Sequence, residues 1–248
     1  MENLRADYYA VKSSRHFDRE TMPFYQIELR ARDFGQPSLR RSMTFELNIT
    51  DINDQIPQFK TNYTFDLIEN NRVPTVIGQI NAYDSDQGIN GQITYTIVPA
   101  SPYFLITPND GTLSTNTSFD YEVKRQYKFQ VRARDHGQPP LESFVSVQIN
   151  IINVNEYSPQ FEKDHYEFLI NENETIEFIG QVKAYDRDYG DTITYSLNNY
   201  EDIFRIDQYG RIYTQTIFDR EYQDEYKLTV LATDNSTVGS AIVTIKIQ

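Results

Sequence analysis

The 248-residue chain has no cysteine and no tryptophan, and only three histidines and three methionines. Without thiols there is no disulfide, no thiolate zinc site and no thiol redox chemistry. The histidines, His16, His136 and His165, share no ligand spacing and read as surface residues. Basic residues are scarce, 23 against 36 acids, for a net charge of -13. The basic face that phosphate binding requires is missing, which argues against nucleic acid as a partner. Long apolar runs are also missing: the opening MENLRADYYA has no apolar stretch, and neither a signal peptide nor a membrane span is visible. No stretch of a dozen residues carries a helical period, and no Gly/Ser-rich linker appears.

What is present is aromatic, alternating and repeated. The 19 tyrosines and 15 phenylalanines make a packed core feasible. Five N-x-S/T sequons, at Asn48, Asn62, Asn116, Asn173 and Asn235, point to the secretory route despite the missing cysteines. FDRE at 17–20 returns as FDYE at 119–122 and as FDRE at 218–221. RARDFGQPSL (30–39) returns as RARDHGQPPL (132–141), NDQIPQF (53–59) as NEYSPQF (155–161), and AYDSD (82–86) as AYDRD (184–188). Phe17 to Phe119 is 102 residues and Phe119 to Phe218 is 99. A period near this length is a whole domain rather than a solenoid unit. Within it Tyr127, Phe129, Val131 and Ala133 alternate with Lys128, Gln130, Arg132 and Arg134, the period-two signature of half-buried strands. Several short strands per hundred residues predict an all-β fold of tandem sandwiches. The boundaries are the second half of a repeat plus linker over 1–54, a complete repeat over 55–155 and another over 156–248.

The acids follow the repeat. Eighteen of the 36 lie in recurring motifs, and without them the net charge would be +5. Any one of them alone reads equally well as a turn residue. Recurrence of the same residue types at the same places points instead to a hard cation, since calcium takes six to eight oxygens from carboxylates, carbonyls and amides. An EF-hand does not fit: Gly88 stands fifth from Asp84 and Tyr95 twelfth, where ligands belong. GINGQI (88–93) lacks the Lys-Ser/Thr of a phosphate loop. Paired carboxylates suggest a glycosidase, but repetition argues against a unique active site.

These motifs resemble the extracellular repeats of cadherins. The family's interdomain signature DxNDNxPxF is met by DINDQIPQF (51–59), with Gln55 in place of the last Asn. Its other calcium motifs match at Glu69 and Glu172 (x-E-x), at Asp84/Asp86 and Asp186/Asp188 (D-x-D), and at Asp18/Glu20, Asp120/Glu122 and Asp219/Glu221 (D-x-E). A-x-D is matched at Asp33, Asp135 and Asp234. The G-x-P-x-L after Asp33 and Asp135 is similar to protocadherins and to Fat-type or Dachsous-type cadherins. The resemblance implies Greek-key, immunoglobulin-like β-sandwich repeats with three calcium ions at each junction. It assigns the first junction to Asp18, Glu20, Asp51, Asn53, Asp54, Asp84, Asp86 and Asp135 with the Asn90 carbonyl. It assigns the second to Glu69, Asp120, Glu122, Asn153, Asn155, Glu156, Asp186, Asp188 and Asp234.

Departures from the family pattern set further expectations. The x-E-x glutamate of the first junction would belong to a half repeat not in the chain, so that junction should bind calcium poorly. At the second, NVNEY replaces DxNDN, and the chain is two residues shorter after Asp188, so binding there should also be weaker. The resemblance implies no enzyme and no small-molecule substrate. It implies a calcium-stiffened adhesion segment at the extracellular face of the plasma membrane, part of a longer single-pass protein, meeting other cadherin-like ectodomains homophilically or heterophilically. The alternative is a structural spacer with no adhesive contact of its own. Strand-exchange adhesion needs a tryptophan and amino-terminal strands, so any contact would use sandwich faces.

Overall fold

The computed structural model describes residues 2–5, 8–174, 178–190, 192–234 and 236–248; the Asn235 sequon lies outside them. Among the described residues every regular element is a strand. No helix is long and apolar enough to cross a membrane.

The last repeat shows how the alternation builds a sandwich. One sheet has the spatial order His165–Ile170, Val238–Ile247, Glu225–Thr233, Thr194–Leu197. The other runs Phe178–Gln181, Arg211–Thr214, Phe204–Ile206, and a short pair joins Gln160–Phe161 to Ala184–Tyr185. The strand His165–Ile170 lies parallel to the final strand, His165 opposite Ile242 and Ile170 opposite Ile247. The other pairings are antiparallel. Inward positions of facing strands meet in one core of Phe204, Ile212, Phe218, Leu228, Val230, Val243 and Ile245. Four aromatic rings, Tyr200, Phe204, Phe218 and Tyr226, pack there with centroids 5.2–5.6 Å apart.

The middle repeat has the same plan. Its sheets run Tyr63–Ile68, Glu142–Ile152, Gln126–Arg134, Thr94–Val98 and Phe104–Ile106, Thr112–Thr115, Val76–Gln79, with Gln58–Phe59 paired to Ala82–Tyr83. Ile80, Leu113, Val131, Val147 and Ile149 are fully buried. Gly111, at φ 69°, turns the chain so tightly that a Cβ there would overlap the Ile80 carbonyl.

Before residue 54 the regular elements are a hairpin of Phe24–Arg32 with Arg40–Asn48 and a small pair, Glu2–Arg5 with Tyr8–Ala10. The larger hairpin alternates as predicted, but none of its residues is buried. Val131 is fully buried, whereas Leu29, its counterpart one period earlier, is only half-buried.

The chain groups into two compact units, 1–65 with 72–117 and 128–149, and 66–71 with 118–127 and 150–248. The predicted ligands of the first junction all fall in the former, and those of the second all fall in the latter.

Candidate metal centre

In the first unit, strand ends and turns bring Glu20, Asp51 and Asp86 together, each with a carboxylate oxygen within 4.8 Å of the others. The D-x-D segment folds on itself: the Asp86 N–H donates to Asp84 Oδ1 (3.0 Å), and Asp86 Oδ2 accepts from the Gln55 N–H (3.1 Å). Asp135 Oδ1 caps its own loop, accepting from the Gly137 and Leu141 N–H groups at 3.0 and 2.9 Å. The Asn53 amide donates to Asp135 Oδ2 (3.2 Å) and to the Pro139 carbonyl (2.7 Å). Gly137 lies against that amide so closely that a Cβ would overlap it. Asp51 Oδ2 accepts from the Gln87 N–H (3.1 Å) and the Asn90 side chain (2.8 Å). Asp18 and Asp54 are exposed; Asp18 caps the turn at Thr21, and Asp54 accepts from the Gln55 amide.

In the second unit Glu69, Asp120 and Glu122 form a triad in which only Glu122 repeats a member of the first, Glu20. Glu69 accepts from the Tyr121 N–H (2.6 Å) and the Val154 N–H (2.7 Å), so one carboxylate ties the D-x-E turn to the linker. Asp188 Oδ2 accepts from the Glu156 and Tyr157 N–H groups (3.0 and 2.8 Å), and its own N–H donates to Asp186 Oδ1 (2.8 Å). Asp234 is held by the Ser236 and Thr237 N–H groups and the Thr237 hydroxyl, with Asn155 also bonded to it. Asn155–Asp234 thus repeats Asn53–Asp135. Glu156 is exposed, and its carboxylate accepts from the Asn70 amide.

Every buried carboxylate among the described residues, Glu69, Asp86, Asp135, Asp188 and Asp234, belongs to the predicted ligand set. Their spare oxygens distinguish a site from a turn. Asn53 Oδ1, Asp84 Oδ2, Asp86 Oδ1, both Glu122 oxygens, Asn153 Oδ1, Asp186 Oδ2 and Asp188 Oδ1 are buried with no hydrogen-bond partner among the described residues. A buried acceptor without a partner costs about 1–3 kcal/mol, and more when charged. These atoms are all oxygens, mostly anionic, with no sulfur or imidazole among them, a donor set that suits calcium.

Charge crowding leaves its mark on acidity. Burial pushes the Asp84 carboxyl above its usual value, and the nearby Asp86, Asp135 and Asp51 charges add to it. Burial likewise raises Glu122, with Glu69, Asp188 and Asp120 reinforcing, and raises Glu20, with Asp54 and Asp86 reinforcing. Burial would also raise Asp51, but hydrogen bonds from Asn90, Gln87 and Arg19 outweigh it and hold the carboxyl low. Asp234 goes the same way: burial is overcome by its bonds to Thr237 and Ser236, which hold it well below the ordinary carboxylate range.

Sequence reasoning missed Arg19. Its guanidinium reaches into the first cluster, bonding Asp51, Glu20 and the Ser85 carbonyl (2.6 Å). The only available signal was the middle residue of D-x-E, arginine here and tyrosine at 121. A third triad, Glu172, Asp219 and Glu221, lies at the far turn of the last repeat; Asp219 and Glu221 are exposed.

A profile of the cadherin domain matches residues 63–152 and 166–248. The chain belongs to the cadherin family. Human protocadherin-11 X-linked is 34% identical over 251 residues, covering 98% of this chain and 19% of that protein. The dachsous protein of Drosophila melanogaster is 34% identical over 95% of this chain and 7% of that protein. The chain therefore spans a fifth or less of these curated relatives. Among solved structures, the extracellular cadherin domains 3–6 of protocadherin gamma B2 superpose with a TM-score of 0.86 at 25% identity, over 94% of this chain and 62% of that one. Mouse cadherin-23 EC22–24 follows at 0.75 and 30% identity, over 94% and 77%. The two complete sandwiches are thus cadherin repeats of the protocadherin and dachsous type, the kind found in adhesion ectodomains.

Proposed function

We propose that this cadherin segment is a calcium-binding part of a cell-surface ectodomain, in which calcium stiffens the junctions between repeats 1–54, 55–155 and 156–248 for homophilic adhesion at the plasma membrane. The observation that carries this reading is the set of buried, unpartnered oxygens confined to the junction motifs. Calcium supplies the positive charge and the vacant coordination positions that these oxygens lack in the protein alone. Asp84, Asp86, Glu20, Asp51, Asn53, Asp54, Asp18, Asp135 and the Asn90 carbonyl would hold it at the first junction. At the second, Glu69, Asp120, Glu122, Asn153, Asn155, Glu156, Asp186, Asp188 and Asp234 would do so.

The chain's own groups prepare the step. Backbone N–H donors hold one oxygen of Asp86, Asp135 and Asp188, which aims the remaining oxygens. Because the carboxylates come from linker, D-x-E turn and D-x-D turn, neutralising them together ties three chain segments into one body. No step is catalytic, the reading needs no small-molecule substrate, and the partners are other cadherin-like ectodomains. Exposed Asn48, Asn62, Asn116 and Asn173 leave room for glycans.

Sedimentation and small-angle scattering of the full chain, at about 1 mM calcium and then in chelator, test this. Extension in calcium with self-association is the expected result. Extension without association supports a spacer role, and an unchanged profile overturns the calcium reading altogether.

A further inference from the structure

Five of the positions at which the two junctions differ outside the ligand set stand out. The first carries Arg19, Pro23, Gln55, Ser85 and Gln87; one period later stand Tyr121, Arg125, Tyr157, Arg187 and Tyr189. All five second-junction residues fall in one compact unit, and they pack as two groups, Tyr121 with Arg125 and Tyr189, and Tyr157 with Arg187. The Arg125 guanidinium lies 3.9 Å from the centre of the Tyr189 ring and 4.9 Å from that of Tyr121. The rings themselves are 6.3 Å apart and tilted by 50°, so the cation sits against two aromatic faces. Arg187 lies 4.3 Å from the ring of Tyr157. Tyr121 is the middle residue of D-x-E, Tyr157 follows the linker ligand Glu156, and Arg187 and Tyr189 flank Asp188. The Arg125–Tyr189 and Tyr121–Tyr189 contacts therefore join the D-x-E turn to the D-x-D turn, and Tyr157–Arg187 joins the linker to the D-x-D turn.

We propose that Tyr121, Arg125 and Tyr189 form a guanidinium–tyrosine clamp that holds the second junction closed without calcium, with Tyr157 and Arg187 bracing the D-x-D turn from within the last repeat. The clamp appears where the linker motif reads NVNEY, and its residues are absent where DINDQ keeps both linker aspartates. A guanidinium over an aromatic face is attracted by the ring quadrupole whether or not a metal is present. Among the described residues the first junction shows no such contact: Arg19 instead binds Asp51 and Glu20 directly and so competes with a metal for them. Without metal the second junction is then held by its own side chains, whereas the first has no such hold.

The inference rests on the calcium reading only for the contrast between junctions. The absence of cysteine allows clean double spin labelling of the full chain. Thr96→Cys with Ser196→Cys reports on the second junction, and Ser42→Cys with Thr96→Cys on the first; all three positions are exposed. In chelator the second pair should keep a narrow distance distribution while the first broadens. Arg125→Ala with Arg187→Ala should then raise the open population of the second pair roughly tenfold, the ratio expected for losing two or three exposed cation–ring contacts. Tyr189→Leu gives the same reading should the arginine pair impair folding, which circular dichroism checks. The clamp is overturned if the second pair broadens on chelation as much as the first, or if the substitutions leave it narrow. Titrating calcium into the unsubstituted labelled chains separates the readings: no narrowing at the first junction would sink the proposed function, while the variants in chelator judge the clamp alone.

Discussion

Glu122 shows most plainly what a single residue contributes. Both its oxygens are buried without partners, and its carboxyl is pushed up by burial and by three neighbouring acids. Glu122→Gln removes that repulsion at little cost in volume. In chelator we expect the melting temperature to rise by about 1–3 °C, as a sub-kcal/mol gain gives in a chain of this size. In calcium the same change should weaken binding at least tenfold, as even outer partners of a metal cost about that much; calorimetry reads both. The pH response follows from the same shifts. Asp84, Glu122 and Glu20 have folded pKa values above their unfolded ones, so their stabilising share is full below the unfolded value and is lost as pH rises through the folded one. Asp234 has the opposite sign: its share is present above the ordinary value near ~3.9 and is lost as pH falls through the depressed one. The calcium-free protein should therefore gain stability on mild acidification before losing it in stronger acid. Calcium affinity should already fall above the ordinary carboxylate range, because protons compete for Asp84 and Glu122. Melting curves and calcium titrations across that range check both statements.

The elements themselves were largely legible. Period-two alternation identified the strand around Tyr127–Ala133, and the repeat spacing placed its counterparts, because burying one face of a sheet imposes that pattern directly. Pairing order was not legible: nothing in HYEFLI announces that it lies parallel to the last strand rather than antiparallel to a neighbour. Ligand residues were legible as types, since D-x-D and D-x-E recur. Which oxygen stays free depends on backbone donors such as the Gln55 and Glu156 N–H groups, which only the folded chain brings near. Arg19 and Arg125 were missed for the same reason, long side chains whose targets lie far along the sequence. Packing predicts unequal costs for equivalent substitutions. Leu228→Ala in the last repeat should cost about 2–5 kcal/mol, since Leu228 is fully buried. Leu29→Ala, half-buried in the first hairpin, should cost well under half of that; chemical denaturation compares them. Gly137→Ala should displace Asn53 and weaken calcium at the first junction while sparing the second.

At the scale of the whole molecule the charge distribution matters more than any one contact. A chain of net charge -13 with its acids gathered at repeat ends carries its self-repulsion where its modules meet. The first-junction acids Glu20, Asp51 and Asp86 lie within 4.8 Å of one another, well inside the screening length of about 10 Å at 0.1 M, so added salt in chelator should mimic calcium there only weakly; scattering against ionic strength checks this. The second junction, with guanidinium groups against rings, should respond less.

The parallel pairing of the last repeat's opening and closing strands has a mechanical consequence. Its two outer ends leave in opposite directions along one ladder, His165 beside Ile242 and Ile170 beside Ile247. A tensile load applied through those ends would shear the whole row of bonds at once instead of unzipping them singly. Such a module resists pulling by yielding late and abruptly.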